Sequence, residues 1–241
     1  MGNRRYLLII CAFLLIVFSL NIGVSCSENS TLAPYNTVVS VIETEREGFA
    51  ERLRRCRSDS ARQSVIAEAG RYISDTIHHR LMPHWIGTPW DFHGTSEVPG
   101  EGEIACGYFI TTLLRDAGFR IQRYRLAQQG AEIIVKKLVS GENIRRYSWA
   151  SLNDFVSEIG DWGAGVYVVG LDFHVGFVIN DGRGIYFAHS SYIHPAQVVC
   201  EPARESAALR RTEYRIAGRL TSDTLLIKRW IEGRRANDRV D

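Results

Sequence analysis

His174 and His189 stand on either side of an Asp181-Gly182 step. Asp-Gly between alternating apolar runs predicts a β-hairpin, because a type I′ turn needs two residues that tolerate positive φ. A two-residue turn at 181 and 182 pairs 180 with 183. Continued outward, it sets 174 opposite 189 with Cβ atoms roughly 4.5–5.5 Å apart. Upstream, Cys106 opens a helix: Phe109, Ile110, Leu113, Leu114 and Ala117 follow it at helical spacing, and Gly118 is placed to end it. A thiol at a helix N-terminus, an imidazole to take its proton and a second imidazole to orient the first are the equipment for attack on a carbonyl. Both the helix end and His174 are expected to lower the pKa of Cys106.

The pairing depends on register, since a loop centred on Gly182 would pair 174 with 190 and turn His189 to the other face. Gly176 leaves the strand bare beside His174, which gives a helix end room to approach. Trp90 and Asp91 are candidates for the second oxyanion donor or for substrate contact, and His194 is an alternative third member. The remaining histidines, 78, 79, 84 and 93, lack a His-Glu-x-x-His spacing, and no Cys-x-x-Cys occurs. No metal and no cofactor are therefore expected.

These residues need elements to position them. Residues 38–55 carry a moderate helical pattern, and Asp59 or Ser60 can cap a second helix that stops near Leu81-Met82-Pro83. A glycine-punctuated loop runs from His84 toward Cys106. Residues 133–139 fit a strand or a helix, and Ser151 caps a short helix over 152–159. Strands are expected at 165–171, 174–179 and 185–188, a helix at 204–210, and two further strands at 214–219 and 224–230. Helices first and an antiparallel sheet second is an α+β arrangement.

The chain has 241 residues, 45% of them hydrophobic, and its 29 basic and 27 acidic side chains leave a formal charge of +2. That balance supplies no field for nucleic acid. Arg4 and Arg5 precede an apolar run over residues 7–20, then Gly23-Val24-Ser25-Cys26, the layout of an export signal with Cys26 as a lipidation position. Unprocessed, the same stretch is nearly long enough for a single membrane anchor. Either route predicts an exported protein of the bacterial cell envelope, held at the membrane as a lipoprotein or by that anchor. In such an oxidising compartment Cys56 and Cys200 are able to pair, or to serve as small buried side chains.

From about Val65 to Leu220 the chain resembles the NlpC-type papain-like cysteine peptidases and amidases. The resemblance rests on Gly87-Thr88-Pro89-Trp90 through Gly94-Thr95-Ser96, Ala105-Cys106-Gly107-Tyr108-Phe109 with Ala117-Gly118-Phe119, His174-Val175-Gly176-Phe177-Val178, Ile185-Tyr186-Phe187-Ala188-His189-Ser190, and a closing Tyr214 to Arg219. It implies a papain-like fold with the nucleophile helix packed on an antiparallel sheet, and a triad of Cys106, His174 and His189. It also implies an amide substrate in peptidoglycan stem peptides. Ala105 and Gly107 depart from the Asp and Ser that family members place around the cysteine. The expected organisation is a signal peptide (1–25), a tether (26–36), an N-terminal helical segment (37–83), a papain-like catalytic domain (84–232) and a polar tail (233–241). A thiol acyltransferase would use the same triad, and a papain-like binding module without catalysis is the third reading.

Overall fold

The structure is a computed structural model that describes residues 33–236. The expected signal peptide, Cys26, most of the tether and the end of the tail lie outside the described residues. In chain order the helices are α1 (Tyr35–Arg55), α2 (Asp59–Asp75), α3 (Met82–Trp85), α4 (Cys106–Asp116), α5 (Arg123–Ala127), α6 (Ala131–Leu138), α7 (Leu152–Trp162), α8 (Ala207–Arg210) and α9 (Thr224–Ile231), with a π-helical turn over Thr76–Leu81. The strands are β1 (Ile144–Ser148), β2 (Gly165–Leu171), β3 (Val175–Asn180), β4 (Ile185–Ser190), β5 (Val198–Pro202) and β6 (Tyr214–Arg219). They form one antiparallel sheet in the order β1-β6-β2-β3-β4-β5, and the chain is α+β.

Helices cover both faces of the central strands. Val168, Phe177, Ile179, Ala188 and Ile216 turn to one side, where α1, α2, α4, α6 and α9 share a single apolar core. Tyr167, Val169, Val178, Phe187 and Ala217 turn to the other, under Phe155, Val156 and Ile159 of α7 and Leu209 of α8. Because β2 and β3 are buried on both faces, they read as unbroken apolar runs. Helix α4 seats against the sheet through Phe109, whose ring meets Phe177 edge-on at 6.4 Å. Gly118 ends α4 at φ +88, with Phe119 N–H returning to the Leu114 carbonyl at 3.0 Å.

Several elements differ from expectation. The hairpin loop is four residues, not two: Asn180 pairs with Ile185 and Phe177 with Ala188. The Asp181 carboxylate explains the wider loop, since its Oδ1 accepts the N–H groups of Arg183 and Gly184 at 2.8 and 2.7 Å. Residues 224–230 form α9, not a strand. Asp223 caps it by accepting the Leu226 N–H at 2.9 Å, and Leu226, Ile227, Trp230 and Ile231 bury one helical stripe. Residues 133–139 resolve as α6, while β1, β5 and α5 were not anticipated. Ser58 caps α2, and Pro83 sits in the first turn of α3, so helix persists to Trp85 beyond the expected stop. Ser151 caps α7 as expected.

Candidate active site

The approach to Cys106 is laid down as extra rungs on the sheet edge. Gly87 N–H donates to Val198 O and Val198 N–H to Thr88 O, so residues 87–90 run beside the start of β5. On their other side Ile104 N–H donates to Pro89 O, and Ala105 N–H to Gly94 O, both at 2.9 Å. A Cβ on Gly94 would stand 2.6 Å from the backbone of Glu103 and Ile104, which is why glycine is required in this loop. The buried Ser190 hydroxyl closes the clamp by donating to the Ile104 carbonyl at 2.6 Å.

Cys106 is the first residue of α4, and Ala105 before it offers no side-chain cap. The first-turn amides are therefore free to face the thiol. The backbone N–H groups of Val175, Gly107 and Cys106 itself favour the thiolate, and the His174 imidazole is not among the groups that act on the sulfur. Val175 is available because Leu171 N–H bonds the His174 carbonyl at 2.8 Å, so the next amide along β3 points away from β2. The β3–β4 ladder stops at Phe177 and Ala188, short of that amide. Burial outweighs the amide contacts and pushes the Cys106 thiol up, contrary to the lowering expected from helix end and histidine.

Gly107 stands where no larger side chain fits. The Ala127 carbonyl of α5 lies over it, and an added Cβ would come within 2.3 Å of that oxygen.

His174 and His189 project from the sheet face opposite the one α4 covers. His174 Nε2 lies 2.8 Å from His189 Nδ1, with the rings nearly perpendicular. Continuing the ladder sets His189 opposite Gly176, not His174, so the expected rung is wrong by two residues. The face is preserved because the side-chain period is two. Gly176 does not admit a helix end: the Phe187 ring fills that space, 2.4 Å from where a Cβ would sit, and stacks on His189 at 4.3 Å.

Glu201 completes the chain, with Oε1 3.4 Å from His189 Nε2. Burial opposes its charge, but His189 and Ser206 hold its carboxyl below the ordinary range. Burial pushes His174 well below the usual imidazole range, reinforced by His189, and lowers His189 as well. Both rings are thus neutral near pH 7. An acceptor on His189 Nε2 assigns the proton to that nitrogen, so Nδ1 accepts from His174 Nε2–H. His174 Nδ1 is left with a lone pair.

Trp90 reaches this centre through Tyr192, whose ring lies 6.3 Å from Trp90 and 5.2 Å from His174. The Asp91 carboxylate accepts the His93 N–H at 2.7 Å in a local turn. His194 is exposed, and the third place belongs to His189. Among the described residues no disulfide joins Cys56 to Cys200. Glu201, Ser190 and Tyr192 were missed. Only Glu201 left a signal, as a lone acid in the apolar stretch Val198-Val199-Cys200-Glu201.

No family model, no curated protein and no solved structure matches this chain.

Proposed function

We propose that this chain is a papain-like cysteine hydrolase of the NlpC type, cleaving an amide bond in peptidoglycan stem peptides from an exported, membrane-held position. The observation that carries the reading is the His174–His189 hydrogen bond at 2.8 Å, one residue from the Val175 amide that favours the Cys106 thiolate. At rest the buried Cys106 thiol and the buried His174 imidazole are both neutral. As the sulfur attacks the carbonyl carbon, the thiol proton passes to His174 Nδ1 around the end of β3, which His174 directly precedes, and the carbonyl electron pair moves to oxygen. The first-turn N–H groups of α4 are the oxyanion donors. Collapse expels the amine, which takes the proton from His174 and leaves a thioester. A water deprotonated by His174 then releases the acid and restores the thiol. His189 and Glu201 keep the lone pair on Nδ1 throughout.

The raised thiol pKa favours a second reading, a binding module without turnover. Purified peptidoglycan incubated with the full chain, followed by mass analysis of released peptides, decides between them. New amine and acid termini that vanish in Cys106→Ala and His174→Ala establish the hydrolase. Retention of peptidoglycan with no release, unaltered in Cys106→Ala, establishes the module.

A further inference from the structure

A cavity of about 510 Å³ opens where α2 and the π-helical turn meet the end of β3 remote from His174. Its floor is apolar, with Ile66, Ile179 and Ile227 among the lining side chains. Arg71, Asp75, His78 and His79 line it along one helical stripe, and Asn180, Asp181 and Thr221 are among the polar groups of the facing wall.

His78 is the unusual member. It is 4% exposed and lines the cavity, yet among the described residues no group hydrogen-bonds its ring. Its contacts are aromatic, with His79 at 4.1 Å and Tyr186 at 6.0 Å. Its ring nitrogens are not among the buried unpaired atoms, so they are accessible from the cavity, where an N–H can donate to a ligand. Arg71 matches it. Among the described residues its guanidinium makes no hydrogen bond or ion pair, and the neighbouring Glu68 is engaged by Arg52 through both carboxylate oxygens. The acids lining the cavity are already occupied: Asp75 holds His79 at 3.0 Å, and Asp181 accepts two amides of its own loop. Among the described residues no three metal-ligating side chains converge.

We propose that this cavity binds a small amphipathic carboxylate, its apolar body on Ile66, Ile179 and Ile227 and its head between Arg71 and His78. A guanidinium fork and an imidazole N–H are charge-complementary donors for two carboxylate oxygens. An apolar floor with few convergent polar groups is the usual build of a small-molecule site. The site stands apart from the thiol, since most of β3 separates it from His174.

The test is calorimetric titration of the full chain, in detergent solution, with 4-methylpentanoate. Saturable binding is expected, with 4-methylpentanamide and 4-methylpentylamine each at least about tenfold weaker. Arg71→Gln, at an exposed position, is expected to weaken the carboxylate by about tenfold, and His78→Phe to weaken it similarly while the melting temperature holds. Cys106→Ala is expected to bind as the parent does. Absence of saturable heat, equal binding of the amine or amide, or full affinity in Arg71→Gln overturns the proposal. Loss of binding in Cys106→Ala also overturns it, by placing the ligand in the thiol cleft.

Discussion

His174 and His189 are diagonal neighbours on adjacent strands, and their side chains still meet, Nε2 to Nδ1, at 2.8 Å. Diagonal Cβ atoms lie about 7–8 Å apart, a gap two imidazoles can span and shorter side chains cannot. Phe187, stacked on His189 and filling the space over Gly176, fixes the second ring from the side. The pair therefore has one geometry available, and its protonation is set at the Glu201 end.

Replacing Glu201 by leucine removes the acceptor from His189 Nε2 and lets the proton settle on Nδ1. His174 then loses its partner or its free lone pair. We expect turnover to drop by about tenfold to a hundredfold, with KM little changed. Glu201→Gln, which retains an acceptor oxygen, is expected to fall between parent and leucine variant. Steady-state hydrolysis measures both, and parental turnover in Glu201→Leu would remove that residue from the site.

Alkylation reads the thiol directly. Because burial raises the Cys106 pKa, iodoacetamide labelling is expected to be slow at neutral pH and to climb only above the ordinary thiol range. Mass mapping across a pH series follows it. A labelling rate already at its plateau below pH 8 would contradict the neutral resting state.

Stability carries the sign of the buried imidazoles. Both folded-state pKa values are below the unfolded value, so between the two the unfolded chain binds more protons and stability rises with pH. Acidification through pH 6.5 and below should lower the melting temperature, each group contributing up to about 1.4 kcal/mol per pH unit in that window. His174→Phe is expected to flatten the slope. A melting temperature independent of pH from 7 to 5 would count against a neutral buried pair.

Gly107→Ser places a Cβ against the Ala127 carbonyl, with backbone on both sides and no flexible end to yield. Overpacking of this kind should destabilise the fold by about 1–3 kcal/mol, readable by chemical denaturation. A serine variant as stable as the parent would show that α5 moves aside.

Much of this centre was legible because its signals are local. Cys106 at a helix start, the Gly118 stop and the common face of the two histidines all follow from periodicities of 3.6 and 2. The rung was not legible, since Asp181 closes its loop with a side chain that competes with a tight turn. Nor was α9: Leu225, Leu226 and Ile227 read as strand until Asp223 is seen capping from in front of them. Glu201 and Ser190 act through partners 12 and 86 residues away, and no pattern within a segment reports such a bond.

Helix α4 also works as a strut. Tyr35, at the start of α1, donates to Asp116 at the last turn of α4, while Cys106 occupies its first residue. Eleven residues make the strut about 16 Å long. The described chain thus begins beside the end of α4 remote from Cys106. On the proposed reading, a tether upstream of Pro34 would be joined at that remote end, a helix length away from the thiol.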